Sequence, residues 1–208
     1  MVKAWIADVS QLCEKRCYEK YYEMLPDFRK NKADKLRLVQ MKAQSVGVWI
    51  LWQKLREKYG LSEDAAFNLS HSGTVVMCAA NIDGTRVKVG CDVEQLGGLR
   101  LKIAEKYFCR EEYRTILDEH SEEKRTELFY RYWVLKESFM KATGKGMALP
   151  ADQFCIQMGD PPVLIRQPGE FPEKYYYREY QRKDLPYRMA VCATDGEIDT
   201  ELHTELIL

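Results

Sequence analysis

The stretch Cys91-Asp92-Val93-Glu94-Gln95-Leu96 has a counterpart earlier in the chain, Ala7-Asp8-Val9-Ser10-Gln11-Leu12, at an offset of 84 (92 against 8). The same offset relates Trp133-Val134-Leu135 to Trp49-Ile50-Leu51. Further on, Ala190-Val191-Cys192-Ala193-Thr194 is similar to Val76-Met77-Cys78-Ala79-Ala80 at an offset of 114 (192 against 78). Three similarities in one order point to two related halves, the second carrying an insertion of 30 residues (114 against 84). Each half reads as strand, long helix, strand. The expected fold class is therefore α+β: two similar half-domains, each a small, mostly antiparallel sheet packed with a long helix. The division falls at residues 1–84 and 85–208. No Gly/Ser-rich linker separates the halves, so they are expected to pack as one unit.

Local signals fill in the elements. Residues 29–58 are rich in Lys, Arg, Leu and Gln, with Gly47 as the one glycine and no proline, which predicts a helix. Gly60 is its expected stop. Thr74 to Asn81 reads as a buried strand. Ile82-Asp83-Gly84-Thr85 carries an Asp-Gly hairpin signal leading into a strand from Arg86 to Glu94. Residues 101–119 and 122–143 read as helices, Pro150 to Tyr187 as strands and turns, and Arg188 to Thr194 as a final core strand.

Composition excludes some classes of function. Lys+Arg and Asp+Glu both number 32, and this zero balance argues against a general nucleic-acid binder. No apolar run approaches the roughly 20 residues that span a bilayer. Asp8 interrupts the first apolar stretch almost at once, which is not a signal-peptide layout. The expectation is a cytoplasmic protein with no membrane partner. The seven cysteines are odd in number and scattered, and they read as buried reduced thiols. Cys13 and Cys17 have no second pair to complete a metal site.

The chemistry gathers in the second half. Residues i and i+2 of a strand share a face, so Asp92 and Glu94 can converge on one cation. A helical Glu137 would complete a set of hard oxygen ligands of the kind Mg²⁺ accepts beside substrate phosphates. Helical spacing puts Trp133, Glu137, Lys141 and Gly144 on one face, and Lys136 and Lys141 would neutralise phosphate charge. The first half has Asp8, Ser10 and Gln53 at the corresponding positions. One metal site per chain, in the cleft between halves, is the expectation. Phe67-Asn68-Leu69-Ser70-His71-Ser72-Gly73 offers hydroxyls and an imidazole to an anion. Gly144-Lys145-Gly146 lacks the flanking residues of a P-loop, and no Gly-x-Ser-x-Gly elbow of a serine hydrolase is present.

Together, Asn-x-Ser-His-Ser-Gly, Gly-x-Asp-x-Glu and Trp-x-x-Lys-Glu-Ser-x-x-Lys followed by Gly-Lys-Gly resemble the 4′-phosphopantetheinyl transferase superfamily. The duplicated length points to its pseudo-dimeric, Sfp-like branch, and the likeness runs from Phe67 to Ala193. It implies transfer of 4′-phosphopantetheine from coenzyme A to a serine of an acyl- or peptidyl-carrier protein, releasing adenosine 3′,5′-bisphosphate, by a monomer. Asp92, Glu94 and Glu137 would hold Mg²⁺. Glu137 would also act as base, with Lys141 and Asp92 completing the catalytic set. Arg29, Lys32, Ser70, His71, Ser72, Lys136 and Lys141 would contact coenzyme A, and Met147 and Phe154 the carrier.

Two departures from the family pattern stand out. The Gly-Lys-Pro loop expected before the His motif is absent, because Tyr59-Gly60-Leu61 runs almost directly into Phe67. An arginine expected on the first long helix is replaced by Gln44 or Ser45, with Lys42 as the alternative cation. The competing readings are a non-catalytic binder of carrier protein or nucleotide, motivated by the missing loop, and another Mg²⁺-dependent phosphoryl enzyme such as a pyrophosphatase.

Overall fold

The computed structural model describes residues 1–205. In chain order the elements are β1 (Val2–Asp8), α1 (Lys15–Glu23), α2 (Asp27–Asp34), α3 (Val39–Tyr59), β2 (Phe67–Ser72), β3 (Val75–Asn81), β4 (Val89–Gln95), α4 (Leu101–Tyr107) and α5 (Arg110–Asp118). There follow α6 (Glu122–Ala142), β5 (Cys155–Gln157), β6 (Val163–Arg166), β7 (Tyr176–Tyr180), β8 (Tyr187–Ala193) and β9 (Ile198–Thr204). The mixed α+β class is as expected. Among the described residues no helix is long and apolar enough to cross a membrane.

Alternation along the strands sets the layers. One sheet runs β2-β3-β1-β9 and a second runs β4-β8-β7. In the first, Trp5, Ala7, Val76, Cys78 and Ala80 pack against Ile50, Leu51, Trp52 and Leu55 of α3. The intervening residues Ala4, Ile6, Met77 and Ala79 meet Val89, Cys91, Val93, Met189 and Val191 of the second sheet. The far face of that sheet, through Ala190 and Cys192, packs on Val134, Leu135 and Phe139 of α6. The order is helix, sheet, sheet, helix. β3 and β8 are buried throughout because both of their faces are covered.

At Gly90 the layers come closest. A Cβ there would lie 2.0 Å from the Ser138 carbonyl oxygen and 2.4 Å from the Ala142 nitrogen. The backbone of β4 therefore lies directly on that of α6, which glycine alone permits. The helix itself is well terminated. Ser121 accepts a bond from the Lys124 amide, Glu122 and Glu123 sit in the first turn, and Lys141 sits in the last.

β2 and β4 are edge strands of different sheets, and side chains bridge them. Asn68 Oδ1 accepts from the Cys91 amide at 3.1 Å. Ser70 Oγ accepts from the Val93 amide at 3.3 Å, and Ser72 Oγ from the Gln95 amide at 3.1 Å. Alternate residues of one strand thus satisfy alternate N–H groups of the other, and the free edge of β4 is capped without a third backbone ladder.

Several sequence expectations change. The helix read over 29–58 is two, because the chain is extended at Leu38 and α2 folds back on α3. The Arg29 guanidinium donates to the Ser45 carbonyl oxygen at 2.9 Å and lies 4.7 Å from the Trp49 ring centre. The helix read over 101–119 breaks at Phe108, and Cys109 then caps α5 in a capping box with Glu112. Asp83-Gly84 makes no hairpin, since β3 and β4 belong to different sheets. The strand expected from Arg86 starts at Val89. β9 pairs in parallel with β1, so the chain crosses back over the 84/85 division. The strand pairs of the two halves are also one residue out of step. Asp8 lies opposite Val75 and Asp92 opposite Ala190, whereas the sequence offsets would map Val75 onto Met189. Of the seven cysteines, Cys109 and Cys155 form a disulfide and Cys13 is exposed, so the reading of all as buried reduced thiols does not hold.

Lys136 is an interior residue. Its ammonium lies 2.8 Å from Glu112, with side-chain exposures of 2% and 0%. It also donates to the carbonyl oxygens of Ala151 and Phe154. Phe154, expected at a carrier contact, is fully buried beside Phe139.

Two stability predictions follow from these contacts. Gly90→Ala should cost at least about 1–3 kcal/mol in urea unfolding, because backbone cannot yield as a side chain can, whereas Gly98→Ala, with nothing within 4 Å, should be near neutral. Lys136→Ala should cost roughly 3–5 kcal/mol by leaving Glu112 without its partner, and calorimetry would record it as a lowered Tm.

Candidate functional site

The face of β4 that carries Gly90 also carries Asp92 and Glu94, so contact with α6 brings both acids beside Glu137 and Lys141. These four, with His71 of β2 and Trp133 of α6, line one cavity of about 360 Å³. Lys141 Nζ donates to Asp92 Oδ1 at 2.7 Å, to Ser70 Oγ at 2.9 Å and to the Cys91 carbonyl oxygen at 3.0 Å. Ser70 Oγ in turn donates to Asp92 Oδ1 at 2.8 Å, and Ser72 Oγ to Glu94 Oε2 at 3.0 Å.

Electrostatics follow from crowding three acids around one cation. Burial first, then the Asp92 charge, pushes Glu137 up to about 7, against the pull of Lys141. Glu94 is pushed up for the same two reasons. Lys141 is raised despite burial, because Asp92 and its other anionic neighbours favour its charged form. Asp92 is 4% exposed, and its Oδ2 has no hydrogen-bond partner. A buried acceptor without a donor is costly unless something binds it. All the oxygens available are hard donors, so the set fits a small divalent cation. The ligand oxygens of Asp92, Glu94 and Glu137 do not all lie within 4.8 Å of one another. Among the described residues, the one group of three potential metal ligands within 4.8 Å of one another is Cys109, Glu111 and Cys155.

Two further cavities continue this one. On one side, Leu69 and His71 also line a hollow of about 180 Å³ with Arg29, Lys32 and Ser45. Crowding by the cleft walls, then the charges of Lys141 and Lys32, holds the His71 imidazole below its ordinary range. Lys32, though exposed to solvent, is lowered by partial desolvation beside the cleft wall and then by the Arg29 charge. Ser45 Oγ and Arg29 Nε are buried without partners. This hollow gathers cationic donors with no carboxylate in its lining, a natural anion site. On the other side, Trp133 and Glu137 also line an apolar groove of about 450 Å³, with Phe108, Met140, Met147 and Leu149. Met147 is 74% exposed.

The structure thus brings Asp92, Glu94, Glu137, Lys141, His71, Arg29 and Lys32 to neighbouring cavities that share lining residues. Ser70 and Ser72 are turned to the acids and amides of β4, away from the cationic hollow. Lys136 is not brought to the acids, since its ammonium is held by Glu112. Gln44 donates to the Gly73 carbonyl oxygen, and neither it nor Lys42 lines the cationic hollow. Ser45, Trp133 and Asn68 were not singled out as site residues from sequence. Ser45 is one of the two positions, with Gln44, where an arginine was expected, and Asn68 falls within the Asn-x-Ser-His-Ser-Gly motif. Asp8, the first-half counterpart of Asp92, accepts bonds from Ser10 and Thr74 at the end of β1.

Comparison with known proteins bears on what this cleft is. A family model for the 4′-phosphopantetheinyl transferase superfamily matches residues 88–192, which include Asp92, Glu94, Glu137 and Lys141. 4′-Phosphopantetheinyl transferase Sfp of Bacillus subtilis (strain 168) is 36% identical over 67% of this chain and 59% of its own. 4′-Phosphopantetheinyl transferase ffp of Bacillus subtilis is 38% identical over 67% of this chain and 59% of its own. The chain thus spans about six tenths of the length of these curated relatives. A solved holo-(acyl-carrier-protein) synthase from Bacillus anthracis str. Ames, in complex with CoA (3′,5′-ADP), aligns over 51% of this chain and 93% of its own, at a TM-score of 0.43 and 18% identity. With just over half of its residues matched by the family model, and the acids and lysine of its central cavity inside the match, the chain belongs to the 4′-phosphopantetheinyl transferase superfamily.

Proposed function

We propose that this chain transfers the 4′-phosphopantetheine group from coenzyme A to a serine hydroxyl of an acyl- or peptidyl-carrier protein, with Mg²⁺ as cofactor. The observation that carries this reading is the order of the cleft. A cationic hollow, an acidic centre and an apolar groove follow one another, sharing His71 at one junction and Trp133 and Glu137 at the other. A phosphorylated nucleotide, a pyrophosphate and an incoming protein surface require those properties in that sequence.

In this reading Arg29, Lys32 and His71 hold the nucleotide phosphates, and the free Ser45 Oγ donates to one of them. Lys141 lies between the two ends and neutralises charge on the pyrophosphate. Asp92, Glu94 and Glu137 would hold Mg²⁺, which supplies further charge neutralisation to the pyrophosphate oxygens when bound. The carrier serine enters from the groove. Its oxygen forms a bond to the phosphorus that bears the pantetheine arm, and the bond from that phosphorus to the bridging oxygen breaks. Glu137 accepts the serine proton, and adenosine 3′,5′-bisphosphate leaves with the electron pair. An elevated Glu137 suits a general base working near neutrality. The exposed Met147 extends the apolar rim on which a carrier would rest.

Incubation with coenzyme A, Mg²⁺ and a panel of carrier proteins should add the mass of phosphopantetheine to at least one carrier. Nucleotide or carrier binding by calorimetry with no mass added to any of them would instead make the chain a binder. Phosphate release without a carrier would make it a hydrolase. Glu137→Gln should lower turnover by roughly 10²–10⁴-fold with coenzyme A binding retained. Lys32→Ala, at an exposed position, should raise KM for coenzyme A by about tenfold through loss of one charge-assisted contact, with kcat little changed.

Glu137 also fixes the sign of a pH effect on stability. Its folded value lies above the unfolded one, so the protonated form favours the fold, and that contribution is lost as pH rises from about 4.5 to about 7. Without metal, Tm should fall across this window more than in Glu137→Gln. Added Mg²⁺ should raise Tm more above about pH 7 than below about pH 4.5.

A further inference from the structure

Cys109 and Cys155 are joined by a disulfide that links positions 46 residues apart. Both flank the apolar groove. Cys109 follows Phe108, whose ring lines it, and Cys155 follows the segment from Met147 to Asp152 that forms much of the remaining wall. One covalent bond therefore ties together two segments that bound the groove beside Glu137. Leu149, Phe154 and Ile156 also anchor the segment in the core around Phe139, and polar bonds add to this. Glu112 accepts from the Ile156 amide, and Lys136 donates to the Ala151 and Phe154 carbonyl oxygens. β5 has only three residues, and its pairing with β6 is irregular next to Cys155.

The sulfurs also lie close to Glu111, which makes a trio of metal-ligand types. Arg166 is 3.5 Å from the same carboxylate, a cation that opposes binding of another. The remaining cysteines, Cys13, Cys17, Cys78, Cys91 and Cys192, are free. Among the described residues this pair alone is disulfide-bonded.

We propose that Cys109 and Cys155 are a reversible dithiol–disulfide pair that sets the shape of the acceptor groove, so that thiol redox state tunes the docking of a carrier protein. The regulatory part rests on the transfer function proposed above. The oxidant is a low-molecular-weight disulfide of the glutathione type. One cysteine thiolate attacks a sulfur of that disulfide and releases a small thiol. The second cysteine thiolate attacks the mixed disulfide at the protein sulfur and releases the other. Two electrons pass from the protein to the small disulfide, and the two cysteine protons end on the two small thiols. Reduction reverses each step. Both sulfurs belong to buried residues, so exchange proceeds through opening of the β5–β6 hairpin, whose Val163 and Ile165 are already exposed.

The test compares the full chain after oxidised glutathione and after dithiothreitol, beside Cys109→Ser/Cys155→Ser, in which serine can still cap α5. Maleimide labelling with peptide mass analysis should show a Cys109–Cys155 bond in the oxidised form alone. Hydrogen exchange over residues 147–156 should be faster in the reduced form and in the double variant. KM for the carrier should differ between the two wild-type states by up to about tenfold, the scale on which a small misplacement acts, with KM for coenzyme A unchanged and the double variant insensitive to redox state. Two free thiols after oxidation, or equal exchange in both states, would overturn the pair as a structural device. Equal carrier KM values in both states would overturn its regulatory role. If no carrier is modified in either state, the transfer reading fails and the regulatory role with it, while labelling and exchange still decide whether the bond shapes the groove.

Discussion

At Gly90 a strand and a helix meet with no side chain between them, and the position of every catalytic candidate depends on that contact. A Cβ at this position would overlap the α6 backbone. With glycine there, the strand face bearing Asp92 and Glu94 lies against the helix face bearing Glu137 and Lys141. Moving the helix away by the thickness of a methyl group would separate the acids from the lysine. Interiors are close-packed and transmit such displacements rather than absorbing them. The tolerance of this site is therefore fixed at a residue that has no functional group.

The third wall of the cavity is held differently. β2 belongs to the other sheet, and its grip on β4 comes from Asn68, Ser70 and Ser72 bonding to alternate amides. Polar side chains here join two sheets edge to edge, while apolar side chains join them face to face. Because Ser70 and Ser72 also bond to Asp92 and Glu94, the residues that join the sheets also orient the acids. His71, between them, lines both the acidic cavity and the hollow that holds Arg29 and Lys32. The period of two in an extended chain turns Ser70 and Ser72 to the β4 acids and sets His71 between them.

This alternation explains what the sequence could and could not disclose. The convergence of Asp92, Glu94, Glu137 and Lys141 was legible because strand and helix periods place them on definite faces. α6 and the buried strands were legible from their caps and apolar runs. The break at Leu38 was not, because no proline or glycine marks it and the cause is tertiary: Arg29 binding Ser45 and Trp49 on the next helix. Lys136 was misplaced for a related reason. It neighbours Glu137 in sequence but points to the other side of the helix, where Glu112 awaits it. The Cys109–Cys155 link and the pairing of β9 with β1 join residues far apart in the chain, and no local pattern reports such partners.

The pairing of β9 with β1 has a consequence for how the chain is made. β1 is synthesised before β9, and every other described strand and helix lies between them. During synthesis the first sheet must therefore wait with one edge of β1 unpaired until β9 has emerged. Its other edge is closed much earlier, by β3. Long-range pairing of this kind slows folding and leaves an open strand edge able to pair with other chains. The link between β1 and β9 is thus the one that leaves this sheet exposed longest to its neighbours, which makes β9 a point of dependence on the folding environment of the cell.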